Sequence, residues 1–310
     1  MSGSSVLFDA PGPRARALSR TFSIVAGVLI VAGLVWIYFT LAAPRPASGG
    51  MVLPGMFDAT RWDIFADPVV WRFIGEGAVA TLQAAAVAAV GAVALGIVFS
   101  ILRSAETKWI SIPIAVVLEF FRGMPVLLMM LFILLVGSTG AFWAVVIALI
   151  VYNGALIGES LRAGLASLPR GQREAGLSLG MRPLQSKMLV EFPQAFRQML
   201  PIIVAQLVVL LKDTSLGYIV GYDELLRRTI NNLGSFYGNR YLFSLFVVAT
   251  LIYLAMNLAL SFFARWLSKR TASGGRKARR GGRGSGPVGG PEELDPSLAT
   301  LKLQAYGTDK

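Results

Sequence analysis

The chain has 310 residues, of which 55% are hydrophobic and only 15% are charged. A soluble domain usually carries about a quarter charged residues, so this composition indicates a protein whose solvent is lipid. There is no cysteine and no histidine, which excludes disulfides, thiolate or imidazole catalysis and the usual zinc and haem ligands. Much of the formal net charge of +12 lies near the two ends, as expected for cytoplasmic membrane flanks.

The first apolar run is long enough to cross a membrane. Residues 1–23 form a polar, basic N-terminal segment, and residues 24–43 are continuously apolar. A helix needs about 20 apolar residues to cross the hydrocarbon core. A signal peptide is the alternative, but its apolar region is usually shorter and the end of this run is a poor cleavage site. The sequence therefore predicts a retained transmembrane helix, followed by an extracytoplasmic loop over 44–73.

Five further spans are predicted within residues 74–268. They cover approximately 76–102, 110–136, 141–158, 200–220 and 241–267. The expected fold is an all-α membrane protein with six transmembrane helices, in which one extra N-terminal helix precedes a five-helix core. The positive-inside rule places both termini in the cytoplasm, together with the polar loop over 159–199. The Gly- and Arg-rich tail, 269–310, is predicted to be disordered and to meet anionic lipid rather than nucleic acid.

The long loop between the fourth and fifth spans is polar, yet it keeps helical apolar spacing. Pro169 suits the first turn of a short helix, and Gly180 suits its left-handed cap. Pro183 restarts the chain as a second short helix, which Pro193 is expected to bend or end. The local pattern thus predicts two short helices with a sharp elbow at the inner membrane surface. An amphipathic interfacial connector is the alternative interpretation.

Several motifs within residues 75–270 form a recognisable set. They are Glu119-Phe120-Phe121-Arg122-Gly123-x-Pro125, Tyr152-Asn153-Gly154-Ala155, Glu159-x-x-Arg162-Ala163-Gly164, Leu211-Lys212-Asp213-Thr214-Ser215-Leu216 and, in the loop, Gly171, Gln172, Glu174, Ala175, Gly176, Gly180 and Pro193. This set resembles the importer-type ABC permeases with their E-A-A loop, and in particular the polar amino-acid permease family. There are two departures from the family pattern, because Gly176 replaces the usual second alanine and Phe192 replaces an aliphatic residue.

The resemblance implies a coupling loop, about 162–198, that docks on a cytoplasmic ATPase subunit, with Glu174 at the contact and Gly180 at the elbow. It also implies a second permease chain (related or identical), two ATPase subunits and an extracytoplasmic substrate-binding protein. ATP and magnesium then belong to the ATPase, so this chain is expected to hold no cofactor and to catalyse no covalent reaction. Gly176 is expected to loosen the first short helix by roughly 1 kcal/mol relative to alanine.

Charged residues within the predicted spans mark a candidate substrate pathway, because each costs about 2.5–3.5 kcal/mol on insertion scales. Glu119 and Arg122 lie three residues apart on one helical face and can neutralise each other. Lys212 and Asp213 are adjacent, point in different directions and need partners elsewhere. Pairing within the protein is one interpretation, and contact with the charged ends of an amino acid is the other. The candidate set is Glu119, Arg122, Lys212, Asp213, Thr214 and Ser215.

Residues 6–16 and the extra first helix resemble the glutamate permeases of actinobacteria. The expected function is therefore ATP-driven import of a polar amino acid, with glutamate as the substrate, across a bacterial cell membrane. A self-contained secondary transporter or ion-coupled carrier is the alternative; it predicts an inverted repeat and activity without ATP. No clear repeat is visible, and the elbow loop would have no function in a secondary transporter. A membrane-bound enzyme is a poor third candidate, since clustered aspartates are absent as well as His and Cys.

Overall fold

Helices account for nearly all of the computed structural model, which describes residues 12–46 and 52–280, with side chains up to Trp266. In chain order the α-helices and strands are α1 (Pro13–Ala42), β1 (Arg45–Pro46), β2 (Val52–Leu53), α2 (Pro68–Arg103), α3 (Lys108–Gly123), α4 (Val126–Gly137), α5 (Ala141–Ala166), α6 (Arg170–Ser178), α7 (Pro183–Ser186), α8 (Phe192–Asp213), α9 (Gly234–Tyr237) and α10 (Leu242–Arg280). The two strands pair antiparallel, with Arg45 opposite Leu53.

The chain divides into two units, Met1–Phe262 and Phe263–Lys310. In the second unit the described backbone is helical as far as Arg280, whereas the sequence predicted disorder from residue 269. A Gly- and Arg-rich composition lowers helix propensity without forbidding the continuation of an existing helix, because adding a residue is easier than nucleation. The rest of the predicted tail, 281–310, lies outside the described residues.

The described residues contain five helical segments that are long and apolar enough to cross a membrane. They are Pro13–Ala42, Pro68–Arg103, Ala141–Ala166, Pro183–Tyr218 and Asn239–Trp266. The pair α3 and α4 makes a sixth span if the two helices are taken together. An all-α, multi-pass membrane fold is thereby confirmed.

The predicted third span, 110–136, is broken. Its two helices, α3 and α4, are bent by 100° at the residues between them. Pro125 lacks an N–H and disfavours helical backbone at the residue before it, and Met124 is indeed extended, with ψ 131°. The charged pair that the sequence placed in mid-span therefore lies in the last turn of α3, next to the break.

Several helices begin or end outside their predicted limits because of their end residues. Helix α1 begins at Pro13, within the segment expected to precede the first span. Helix α2 begins at Pro68, where the Asp67 side chain accepts a hydrogen bond from the Val69 N–H at 2.8 Å. Helix α5 continues past its predicted end at Gly158. Glu159 and Arg162 form an ion pair one turn apart, and such a pair can extend a helix into the polar region.

The extra helix α1 has no buried residue, as suits a helix surrounded by lipid. Its C-terminal end is attached to the rest of the first unit through Phe57, which stacks on Tyr38 at 5.2 Å and meets the edge of Phe243 at 5.6 Å. Buried Arg61 fixes the loop that follows. Its guanidinium donates to the Pro54 carbonyl at 2.9 and 3.1 Å and to the Arg240 carbonyl at 2.8 Å.

Helix α5 forms the centre of the core and packs closely against α2. An added Cβ on Gly96 would lie 2.7 Å from Ile157 Cγ2, and one on Gly158 would lie 2.9 Å from Phe99 Cβ. Small residues at such positions let two helix backbones approach within van der Waals contact. Buried side chains of α2, α4, α5 and α8 complete this cluster, among them Ala88, Met130, Leu149, Leu161 and Leu210.

We expect Gly96→Ala to destabilise the folded chain by about 1–3 kcal/mol, because the methyl group overpacks the contact between α2 and α5. Gly75→Ala, in the same helix, is the matched control, since no atom lies within 4 Å of its added Cβ. Helix propensity alone would make both substitutions stabilising by up to about 1 kcal/mol. Thermal unfolding of the purified chain in detergent distinguishes the two cases. An equal rise in Tm for both variants would contradict the packing argument.

Candidate coupling loop and substrate cavity

The elbow predicted in the long polar loop is present. Helix α6 ends in a left-handed residue, Gly180, with φ +79°. The Gly180 N–H donates to the Leu177 carbonyl at 2.9 Å, and the Met181 N–H donates to the Gly176 carbonyl at 3.3 Å. These two bonds form a Schellman motif, which satisfies the last carbonyls of the helix and reverses the chain sharply.

The second helix begins as predicted, with Pro183 in its first turn. Pro193 does not end it, because a π-helical turn, Lys187–Glu191, lies immediately before and carries the chain into α8. In that turn the Phe192 N–H donates to the Lys187 carbonyl, five residues back. A wider turn relieves the clash that a proline makes with a carbonyl in the preceding turn. The helix therefore runs without interruption from Pro183 to Tyr218.

Gly176 has a packing role that the sequence did not reveal. It is buried against Ser186, which is fully buried in the second helix. A Cβ added to Gly176 would lie 2.5 Å from Ser186 Oγ and 3.0 Å from Ser186 Cβ. The glycine thus allows α6 and α7 to pack at short range. Because glycine stands where alanine is usual, α6 and α7 pack more closely at the elbow. The lower helix propensity of glycine in α6 is therefore not its only effect.

Gly176→Ala is expected to destabilise the elbow by about 1–2 kcal/mol, since overpacking exceeds the gain in helix propensity. Gly171→Ala in the same helix is the control, because its added Cβ meets no atom within 4 Å. Hydrogen–deuterium exchange of the peptides covering α6 and α7 measures the local stability. Faster exchange in Gly176→Ala should be reversed by a second substitution, Ser186→Gly. Slower exchange in Gly176→Ala would show that propensity dominates.

The loop is fastened to the rest of the first unit on two sides. Arg173 forms an ion pair with Glu106, and the Lys187 ammonium donates to the Ser104 carbonyl, so both meet the turn after α2. On the other side, Gln194 Nε2 donates to Gln172 Oε1 at 3.0 Å and so connects α8 to α6. Two short helices held in this way form a rigid projection.

The exposed face of this projection combines one carboxylate with several apolar side chains. Glu174 is exposed and its carboxylate forms no hydrogen bond or ion pair with the other described residues. The large apolar side chains exposed here are Leu177, Leu179, Leu184, Met188 and Leu189. Clustered exposed apolar side chains mark interaction surfaces. Of the predicted loop residues, Gly171, Gln172, Glu174, Ala175, Gly176 and Gly180 belong to α6 and its cap, whereas Pro193 lies in the first turn of α8.

The four intramembrane charges behave in two different ways. Arg122 Nη1 and Glu119 Oε2 form an ion pair at 3.3 Å, in agreement with their spacing. Lys212 and Asp213 form no ion pair with any residue that the structure describes. Pairing within the chain is therefore not observed for these two, and the interpretation that either meets a ligand remains a proposal.

Lys212 and Ser215 line an open cavity of about 490 Å³ between the end of α8 and α10. Asp213 and Thr214 do not line it; Thr214 is buried and donates to the Leu211 carbonyl at 2.7 Å. The charged pair at the end of α3 is also absent from its lining. The structure thus brings together two of the six predicted pathway residues.

The opposite wall of the cavity was missed by the sequence analysis. It consists of residues of α10, namely Thr250, Tyr253, Leu254, Asn257, Leu258 and Ser261. Asn257 is only 8% exposed, and its Oδ1 has no hydrogen-bond partner among the described residues. The sequence could have identified this wall, because polar residues at 250, 253, 257 and 261 recur at helical spacing in an otherwise apolar span.

Comparison with known proteins shows the family to which the chain belongs. Residues 92–273 match the family model described as the binding-protein-dependent transport system inner membrane component. The chain belongs to that family. The permease is 37% identical, over 71% of its own length and 83% of the relative's, to the glutamate transport system permease protein GluD of Corynebacterium glutamicum. It is 34% identical, over 64% of its length and 93% of the relative's, to the probable glutamine ABC transporter permease protein GlnP of Bacillus subtilis.

Solved structures give the same assignment. A crystal structure of an amino acid ABC transporter with histidines aligns with a TM-score of 0.58 at 27% identity, covering 64% of this permease and 94% of that chain. The inward-facing MetNI methionine ABC transporter aligns with a TM-score of 0.53 at 18% identity, over 66% and 99% of the two chains, and supports the fold alone. The resemblance to polar amino-acid permeases that the motifs indicated is confirmed. The matched family segment begins within α2, so α1 lies outside it.

Proposed function

We propose that this permease is the membrane-spanning subunit of an ABC importer for a polar amino acid, and that its substrate is glutamate. The rigid elbow loop is the observation that carries the importer assignment, because a self-contained carrier gives such a projection no task. Relatives named for glutamate, glutamine, arginine and glutamate/aspartate transport support a polar amino acid, and the relative at 37% identity is named for glutamate. ATP hydrolysis then takes place on a separate ATPase, which binds ATP and magnesium.

The continuous helix explains how the loop could drive transport. It begins at Pro183, directly after the elbow, and reaches Lys212 at the cavity. At 1.5 Å per residue this distance is roughly 44 Å, enough to cross the hydrocarbon core. A stiff helix that is attached to a rigid projection transmits a rigid-body motion, whereas a flexible linker would absorb it. Closure of the ATPase pair would in this way change the access of the cavity.

Lys212 gives the cavity its preference for a carboxylate. It lines the cavity and forms no ion pair with the other described residues. Ser215 and Asn257 add polar side chains to the lining, and the unpartnered Asn257 Oδ1 is an acceptor that is itself buried in this structure. Of the common amino acids, glutamate and aspartate would gain most from an uncompensated cation, because each carries an additional carboxylate.

The proposed assembly contains two permease chains, two cytoplasmic ATPase subunits and an extracytoplasmic binding protein in a bacterial cell membrane. Both termini and the coupling loop lie in the cytoplasm. The loops over 44–73 and 221–240 lie on the opposite side and face the binding protein. Substrate passes by alternating access.

The docking role of the loop is tested by charge reversal. Glu174→Lys should abolish co-purification of the ATPase in mild detergent, because it places a cation at the proposed contact. Asp58→Lys, on an exposed residue near the other end of the first unit, is the control and should leave the ATPase bound. Mass spectrometry of the purified complex measures both. A membrane-localised wild-type chain that brings down no ATPase in several detergents would favour the secondary-transporter alternative.

The role of the cavity is tested by neutralising its cation. In proteoliposomes that contain the whole importer, Lys212→Gln should lower glutamate uptake about tenfold or more, since a charge-assisted contact is worth roughly 1.5–3 kcal/mol. Lys108→Gln, at the start of α3, is the control. ATPase co-purification should be unchanged in both variants. Unaltered uptake by Lys212→Gln would exclude this residue from the pathway.

A further inference from the structure

A fully buried carboxylate lies at one end of the substrate cavity and has no part in the coupling loop. Glu224 is 0% exposed and follows the 3-10 turn Thr214–Tyr218. It accepts hydrogen bonds from the Leu226 N–H at 2.8 Å, from the Arg227 N–H at 2.7 Å and from the Tyr253 hydroxyl. Burial raises the pKa of Glu224, while these hydrogen bonds lower it in part.

Two of these three donors belong to the cavity wall. Leu226 and Tyr253 both line the cavity, one from the loop and one from α10. Glu224 Oε2 accepts from both of them. A single oxygen atom therefore holds two walls of the cavity together at its loop end.

The same loop is attached to α2 by separate contacts. The Leu225 N–H donates to Thr81 Oγ1 at 3.1 Å, and the Tyr222 hydroxyl donates to the Ala80 carbonyl at 2.8 Å. Gly77 allows this approach, because a Cβ there would lie 3.0 Å from the Leu225 Cα. The loop is thus attached to α2 by the Leu225 N–H and the Tyr222 hydroxyl, and among the described residues the Tyr253–Glu224 hydrogen bond joins it to α10.

The nearby arginines are engaged elsewhere. Arg227 Nε pairs with Asp223 at 3.0 Å, and its Nη1 donates to the Tyr218 carbonyl at 3.2 Å. Arg228 pairs with Glu76 of α2. The Glu224 carboxylate therefore depends on Tyr253 for its side-chain hydrogen bond. Hydrogen bonds to an ionised acceptor in a low-dielectric interior are stronger than those between neutral groups.

We propose that the Tyr253–Glu224 hydrogen bond is the latch that closes the loop end of the substrate cavity, and that it breaks when the importer opens to the outside. The inference rests on the proposed importer function, which places this loop on the extracytoplasmic side. Breaking the bond leaves a buried carboxylate without one donor, and water that enters the opened cavity takes its place. The latch thus keeps the cavity closed until the walls move apart together.

The natural absence of cysteine provides a clean reporter. Val208→Cys places one thiol on the cavity wall, in α8 and about two helical turns before Ser215. The assembled importer in proteoliposomes, with the extracytoplasmic side outward, is treated with a membrane-impermeant methanethiosulfonate. Labelling of this chain is followed by mass spectrometry, without nucleotide and after trapping with ATP and vanadate.

Tyr253→Phe removes only the hydroxyl, and should raise the labelling rate without nucleotide by about tenfold or more, the range for loss of a hydrogen bond to a charged group. Glu224→Gln keeps an acceptor but not the charge, and should give a smaller rise. Tyr152→Phe in α5 is the matched control and should label as the reporter chain alone does.

The outcomes separate the latch from the importer. If the reporter chain labels after ATP trapping, but neither Tyr253→Phe nor Glu224→Gln labels faster without nucleotide, the latch is wrong and alternating access stands. If one variant fails to assemble with its ATPase, the other decides by the same criterion. If the reporter labels from outside in no state, the cavity is not the outward path, and both the latch and the proposed pathway are overturned.

Discussion

The close packing of α2 against α5 is the contact on which both functional regions depend. Glycines at this interface bring the two backbones together, and α2 then reaches both ends of the core. At one end, Ala80 and Thr81 hold the loop that carries Glu224. At the other, the turn after α2 receives Arg173 and Lys187 from the coupling loop. One helix thus provides a fixed reference for the elbow and for the cavity.

Helix α8, with the turns at either end of it, is the complementary moving part in the proposed mechanism. It joins the elbow to the cavity in one uninterrupted helical segment, although Pro193 and Pro201 both lie within that segment. The π-helical turn makes this possible for Pro193, since a local widening accommodates a proline without breaking the helix. The local π-helical turn thus keeps the long helical segment continuous and stiff. The proposed transmission of motion from the elbow to the cavity requires that stiffness.

The polar groups of the membrane region fall into a satisfied set and an unsatisfied set. Glu159 and Arg162 bind each other through contacts of 2.6 and 2.9 Å, and Glu224 has three donors. Lys212 and the Asn257 Oδ1 have no such partners among the described residues, and both belong to the cavity lining. Unpaired polar groups are costly in lipid, so the presence of these two in one cavity lining is a physical argument for a ligand there, although Asp213 and Ser100 Oγ, also unpaired among the described residues, lie outside it.

The sequence by itself determined that this is a multi-pass helical membrane protein, that its polar loop bends at Gly180, and that it belongs with the polar amino-acid permeases. These features follow from local chemistry: long apolar runs, a left-handed glycine cap and motifs at fixed spacing. Only the tertiary structure decided that Pro193 lies within a continuous helix, that Gly176 packs against Ser186, and that Lys212 and Asn257 line one cavity. The first depends on a local π-helical turn that the proline by itself does not predict. The other two depend on which segments meet, and the spacing of residues along one helix carries no record of the neighbouring helix that its side chains contact.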